Sequence, residues 1–165
     1  MRAMQADVGF TGQNGATVAS KQALHVPGCG PVPAVSLRKA TTRRPSLRIK
    51  LRRHPDGGRL ARFTVKLPKQ VRVSRARVRQ QAKAFASKTL VLSAVSVKGR
   101  TVSVKGLPKA GASTVTLRLD KGAVRLSSTA RRKARRGKLK LSYKIAAVEV
   151  DGDRFSVRTS ARAKR

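Results

Sequence analysis

The sequence predicts an all-β fold: an immunoglobulin-like β-sandwich with one or two short helices, preceded by a β-hairpin remnant and a Pro-rich linker. Three observations predict it. From Leu47 onward, Val, Leu and Ile alternate with Arg and Lys in short runs, the period of a strand with one apolar face. Turn sequences (Pro55-Asp56-Gly57-Gly58, Lys98-Gly99, Asp120-Lys121-Gly122, Asp151-Gly152) punctuate the runs; strands with turns about every 8–12 residues mark a sandwich or barrel. Every apolar set is one-sided, so two layers must close on each other. Hydrophobic residues make up 39% of the 165-residue chain but aromatics only 3%, with no Trp, so the core must be aliphatic.

The elements follow in order. Residues 1–26 read as the C-terminal remnant of a preceding β domain. Val8 and Phe10 lead into Gly12-Gln13-Asn14-Gly15, whose Asn-Gly favours the positive φ of a hairpin turn, and Val18, Leu24 and Val26 return. A lone hairpin is marginal in water, so this piece belongs to something larger. Residues 27–46 read as a Pro/Gly/basic linker. Pro27, Gly28, Gly30, Pro31, Pro33 and Pro45 interrupt it, and proline's fixed φ and missing donor leave no regular element there. The sandwich domain is assigned to 47–160 and a basic tail to 161–165.

Within the domain, Leu47, Ile49 and Leu51 form a hairpin with Ala61, Phe63, Val65 and Leu67 across the 55–58 turn. Val71 and Val73 suggest a short strand. Ser74 caps a helix over 75–86, with Val78, Ala82 and Phe85 on one side. Leu90 to Val97 is apolar enough for a central strand, and turns at Lys98-Gly99 into Val102 and Val104. Val115, Leu117 and Leu119 turn through 120–122 into Val124 and Leu126. Ser127-Ser128 offers the N-cap of a short basic helix ended by Gly137. Leu139, Leu141, Tyr143 and Ile145 continue to Val148 and Val150, a phase slip that a β-bulge near Ala146-Ala147 would explain. Phe155 and Val157 then pair back after Asp151-Gly152.

Catalytic chemistry finds no support in this chain. His25 and His54 each lie close to a proline, and neither has a carboxylate or Cys at ligand spacing. The acidic residues are Asp7, Asp56, Asp120, Glu149, Asp151 and Asp153; three belong to Gly-containing turns, where Asp is favoured for its backbone conformation. Two carboxylates flanking Gly152 do not make a Ca²⁺ loop, and no pair is placed for acid and base work. Neither a phosphate-cradling loop nor a nucleophile elbow occurs. The sequence therefore reads as a non-enzyme with no cofactor, no metal and no small-molecule substrate.

Charge is the dominant feature. Forty Lys and Arg against six acidic residues give a formal net charge of +34, a surface that seeks polyanions. A GC-rich coding sequence produces the same Ala, Val, Gly and Arg bias, so the charge has two readings: ligand binding and codon composition. The densest cluster is Arg131-Arg132-Lys133-Ala134-Arg135-Arg136. On a helix, Ala130 and Ala134 would face the core and the cations would splay outward, either as a phosphate-contacting helix or as a solvated face. Arg72, Arg75, Arg77 and Arg79 form a second cluster. Strand alternation puts Arg48, Lys50, Arg52, Arg62, Lys66, Lys138, Lys140 and Lys144 on outer surfaces, spreading charge around the domain. Phe63, Tyr143 and Phe155 fall in phase with the buried residues and Phe85 on the apolar helix face, so no platform for stacking bases is expected.

The block Thr11-Gly12-Gln13-Asn14-Gly15-Ala16-Thr17, with Leu24-His25-Val26-Pro27-Gly28-Cys29 after it, resembles the ending of modular β domains in large exported proteins of high-GC actinobacteria. Phe63-Thr64-Val65-Lys66-Leu67-Pro68, followed by a basic helix and Val/Leu strands, is similar to the basic C-terminal β module of those multi-module surface proteins. The resemblance implies an extracellular, non-catalytic module with Cys29 paired to an upstream Cys; read alone, Cys29 is equally a small buried or loop thiol. The expected partners are anionic cell-envelope polymers or lipid. The alternative is a cytosolic nucleic-acid-binding protein, ribosome- or nucleoid-associated. A secreted or cell-surface location goes with a fragment of a longer protein, and a cytoplasmic one with Met1 as the true start. No run approaches the roughly 20 apolar residues of a membrane span.

Overall fold

The computed structural model describes residues 4–11, 17–24, 30–55, 57–86, 89–91, 95–105, 107–120 and 122–163, with the backbone alone at 4–11, 17–24, 79–81 and 89–91. Its elements are β1 (Met4–Thr11), β2 (Thr17–Leu24), β3 (Val32–Arg38), β4 (Ser46–Arg52), β5 (Leu60–Lys66), β6 (Val71–Val73), α1 (Arg75–Gln81), β7 (Ala82–Ala86), β8 (Thr89–Val91), β9 (Val95–Lys98), β10 (Thr101–Val104), β11 (Thr114–Leu119), β12 (Val124–Leu126), α2 (Ser128–Arg135), β13 (Lys140–Glu149) and β14 (Arg154–Arg162). Two five-stranded antiparallel sheets, β14-β13-β5-β10-β9 and β3-β4-β11-β7-β8, make an immunoglobulin-like sandwich. A short ribbon pairs β6 with β12, and β1 pairs with β2 from Met4↔Leu24 to Thr11↔Thr17. The Asn14-Gly15 turn and Cys29 lie outside the described residues.

Period-two alternation is the physical cause of this arrangement. Along β4, Leu47, Ile49 and Leu51 are buried while Arg48, Lys50 and Arg52 are exposed. The inward rows meet in a core of Leu, Val, Ile and Ala that also takes Phe63 and Tyr143. Burying such side chains gains about 1.5–3 kcal/mol each, enough to set the two-layer form. At one corner an isolated parallel bridge, Leu37↔Ala163, ties β3 to the chain just after β14.

Several local expectations are corrected. The stretch 27–46 does contain a regular element, β3, paired with β4 from Val32↔Arg52 to Arg38↔Ser46. Pro33 is tolerated because β3 is an edge strand and owes no donor on its outer side. β4 and β5 are not a hairpin but belong to opposite sheets. The link between them is braced by Arg53, whose Nη1 donates to the carbonyls of Pro55 (3.0 Å) and Gly57 (2.9 Å). One-sided alternation is common to a hairpin and to an arch between sheets, so the pattern alone does not choose. In the same way β8 and β9 lie in different sheets and do not form one strand, and β12 pairs with β6, not back onto β11. β14 runs to Arg162, into the expected tail.

The helix expected over 75–86 stops at Gln81. Ser74 takes the N-cap position without a side-chain bond, and Ala82, Ala84 and Ala86 become the inward row of β7 against β11. Pairing overrides the helix preference of alanine there. The basic helix matches expectation: Ala130 and Ala134 are buried and Ser127 Oγ accepts from the Ala130 N–H at 3.2 Å. Gly137, at φ +68°, ends it with the paired bonds Lys138 N–H to Lys133 O and Gly137 N–H to Ala134 O, a Schellman stop. The bulge lies at Val148/Glu149 in the pairing with β5, not at Ala146-Ala147, where β13 pairs with β14 without interruption. The inward row of β13 simply continues through Ala147 to Glu149, and Val148 and Val150 turn outward.

Candidate functional site

The β6–β12 ribbon joins Arg72, of one basic cluster, to the strand that leads into the other. β6 leads into α1 and β12 into α2, and because the pairing is antiparallel the two helices leave from opposite ends of the ribbon. Arg72 stands directly opposite Arg125 in this ribbon. Like charges facing each other across strands are destabilising by a few tenths of a kcal/mol or more, roughly 0.2–1 kcal/mol, unless an anion lies between them.

On α2, Arg132, Lys133, Arg135 and Arg136 are exposed, as a solvated or polyanion-facing surface requires. Arg131 differs: it is half-buried, and its Nε has no hydrogen-bond partner among the described residues. Arg75 is exposed on α1. Arg77 crosses Gly122, where a Cβ would stand 2.7 Å from its Nη1 and 3.8 Å from Arg44 Cγ. The φ of +87° favours glycine at 122, whereas the flexible end of Arg77 could move aside for a Cβ. The side chain of Arg79 lies outside the described residues.

Arg43 and Arg44 complete the group. They follow a tight turn in which Lys39 adopts φ +53°, the Thr42 hydroxyl donates to the Lys39 carbonyl (2.9 Å), and the Arg44 N–H donates to Thr42 Oγ1 (3.3 Å). An open cleft of about 340 Å³ results, lined by Arg43, Arg44, Arg125, Leu126 and Arg131. A smaller hollow beside it is lined by Ser128, Arg131, Arg132 and Arg135. Neither lining includes an acidic side chain. Of the residues lining the cleft, sequence reasoning singles out Arg131 but not Arg125, a lone cation inside a three-residue strand; Arg77, which it also names, is not part of the lining. Arg43 and Arg44 enter that reasoning only as a basic stretch of linker.

Cations also cover the remaining surface. The outward positions Arg62, Lys66, Lys140 and Lys144 are exposed on one sheet and Arg48, Lys50 and Arg52 on the other. Phe63 and Tyr143 are buried, as their phase requires, whereas Phe85 is not on a helix face at all. It points outward from β7, with the Arg118 guanidinium 5.0 Å from its ring centroid. Phe155 is half-buried against Gly30.

The acidic residues gather where the sequence offers only a turn. Carboxylate oxygens of Glu149, Asp151 and Asp153 lie within 4.8 Å of one another, Glu149 being buried and the two Asp exposed. Glu149 Oε2 accepts from the Gly58 N–H at 2.6 Å, and Oε1 has no partner among the described residues. Burial pushes the Glu149 carboxyl up from its ordinary range; the Gly58 N–H opposes this and Asp151 and Asp153 reinforce it. His54 is half-buried, and His25 lies outside the described residues.

No protein-family model and no curated protein matches the chain. Solved structures do match in fold. The major pilin subunit of Bacillus cereus superposes with a TM-score of 0.52 at 11% identity, over 96% of this chain and 47% of the pilin. The N-terminal domain of an adhesin of Streptococcus gordonii superposes with a TM-score of 0.54 at 10% identity, over 93% of this chain and 37% of that one. The chain thus spans half or less of the length of these structures, and what it shares with them is the antiparallel, immunoglobulin-like sandwich.

Proposed function

We propose that this chain is a non-catalytic, structural or adhesive β-sandwich module of an exported surface protein, and that its basic exterior associates with anionic polymers of the cell envelope. The observation that carries the reading is the convergence of arginines from three chain segments on a cleft with no acidic side chain among its described lining residues. A fold shared with a pilin subunit and an adhesin domain supports the surface role. So does the resemblance of the 11–29 and 63–68 blocks to modules of exported actinobacterial proteins. In this reading residues 1–26 belong to a preceding module, 27–46 open onto the sandwich, and Cys29 pairs with a cysteine upstream. Among the described residues no helix is long and apolar enough to cross a membrane.

The test is co-sedimentation with purified cell walls, before and after chemical removal of their anionic polymers, at 0.15 M salt. Binding should be lost with the polymers. Equal retention on stripped walls would refute the polymer role. The exposed row Arg132, Lys133, Arg135 and Arg136 favours a second reading, nonspecific contact with nucleic-acid phosphates. Tight duplex DNA binding with a log–log salt slope beyond about −5, without matching wall affinity, would decide for it.

A further inference from the structure

We infer that the cleft between the 39–44 turn, β12 and α2 is a discrete site for one phosphate group of a polyol- or sugar-phosphate polymer, held by Arg43, Arg44, Arg125 and Arg131. This deepens the polyanion reading above and rests on it for the polymer, though not for the phosphate.

Diffuse positive charge would not need the geometry found here. Arg131 Nε is buried without an acceptor among the described residues, although a charged donor left unpaired is costly. An oxyanion bound in the cleft would supply that acceptor. The backbone that carries the neighbouring arginines is held by local structure. The 39–44 turn is fixed by Thr42, Arg125 stands on the pairing of β12 with β6, and Arg131 on the capped first turn of α2. Arg77 lies across Gly122 beside Arg44, and Arg72 faces Arg125. Such crowding of cations is repulsive unless a shared anion neutralises it.

The ligand class follows from the donors. Each guanidinium presents a planar fork that matches oxyanions in two-point contacts. A carboxylate offers two oxygens in one plane, a poorer match for forks arriving from three chain segments. A tetrahedral phosphate presents oxygens in several directions. Nucleic acid would bring bases that bind by stacking on aromatic rings. The cleft lining offers Leu126 as its apolar member and no aromatic ring. A phosphate linked to sugar or polyol fits that lining better.

The test compares two triple variants of equal charge: Arg44→Gln/Arg125→Gln/Arg131→Gln in the cleft, and Arg62→Gln/Lys144→Gln/Arg158→Gln on an outer sheet face. The probes are poly(glycerol phosphate), single-stranded DNA with the same number of phosphates, and polyglutamate, each titrated from 0.05 to about 0.3 M salt. Loss of the one phosphate contact should reduce the polyol-phosphate salt slope by about 0.7 in the cleft variant, with a several-fold greater loss of affinity than in the control. Inorganic phosphate should shift the Arg131 Nε–Hε resonance of the unmodified protein. Arg125→Lys keeps the charge and the fold but loses the fork, and should weaken polyol-phosphate binding several-fold; unchanged binding would count against the site. Equal losses in the two triples would show a diffuse field and overturn the proposal. Polyglutamate binding as tight as the polymer, or DNA binding tighter than it, would overturn the ligand class. If phosphate shifts Arg131 but the polymer does not bind, the site stands and the surface-polymer reading falls.

Discussion

Replacing Glu149 by Gln should stabilise the protein at neutral pH and flatten its pH dependence. The inward row of β13 runs Leu141, Tyr143, Ile145, Ala147 and then Glu149, a carboxylate only 1% exposed at a position where the pattern calls for an apolar side chain. One oxygen is satisfied by the Gly58 N–H and the other has no partner among the described residues. A raised pKa means that the native state holds its proton more tightly than the unfolded chain does. The resulting stability is fully present below the ordinary carboxyl value of 4.5 and is lost as pH rises through the raised native value. Above that raised value the folded protein carries a buried charge whose second oxygen has no partner among the described residues. An unsatisfied buried polar group costs about 1–3 kcal/mol, and Gln keeps the acceptor for Gly58 while discarding the charge. A gain of roughly 1–2 kcal/mol would raise Tm by about 3–6 °C in a protein of this size. Thermal melts of both proteins from pH 4 to pH 8 at constant 0.15 M salt measure it. The gap should open as pH rises and close toward pH 4. A Gln variant that is less stable at pH 7, with the deficit shrinking in acid, would refute the reasoning, because it would mean the ionised carboxylate is held by a favourable partner.

Two further substitutions probe the frame around the cleft. Tyr143 is buried with its hydroxyl unpartnered among the described residues, and burial raises its phenol. Tyr143→Phe should be neutral or stabilising by up to about 1 kcal/mol in urea melts, and a clear loss would reveal a hydrogen bond to the hydroxyl. Ser127→Ala removes the α2 cap and should cost about 1 kcal/mol by the same measurement; no loss would mean that the helix start is held by Ala130 and Ala134 packing alone.

The sandwich was legible because its cause is periodic. Leu47-Ile49-Leu51 and Leu141-Tyr143-Ile145 announce one-sided strands before any partner is known, and Ser127 with Gly137 brackets α2 by local chemistry alone. Pairing was legible where a tight turn joins consecutive strands, as in β1–β2, β9–β10 and β13–β14, and not elsewhere. Apolar alternation in β4 and β5 says that both face a core, not whether they share a sheet, and a proline at 33 hides an edge strand because edges forgive a missing donor. The cleft was half legible for the same reason. Arg131 declares itself in a dense basic run, but its meeting with Arg43, Arg44 and Arg125 depends on a three-residue ribbon between segments over fifty residues apart, and no local signal encodes that. Glu149 escaped because a carboxylate in phase with a core row reads as an interruption.

The Leu37↔Ala163 bridge has a mechanical consequence. Because the contact is parallel, β3 and the end of β14 point the same way, so tension entering before Val32 and leaving after Ala163 pulls in opposite directions along the strand axes. β3 would have to slide along β4 from Val32↔Arg52 to Arg38↔Ser46, and β14 along β13 from Val148↔Arg154 to Lys140↔Arg162. Both ladders are loaded in shear, with their bonds sharing the force, and neither can be opened one pair at a time like a zip. A module strung in a chain under load would gain from that arrangement, because its resistance to extension comes from geometry more than from equilibrium stability.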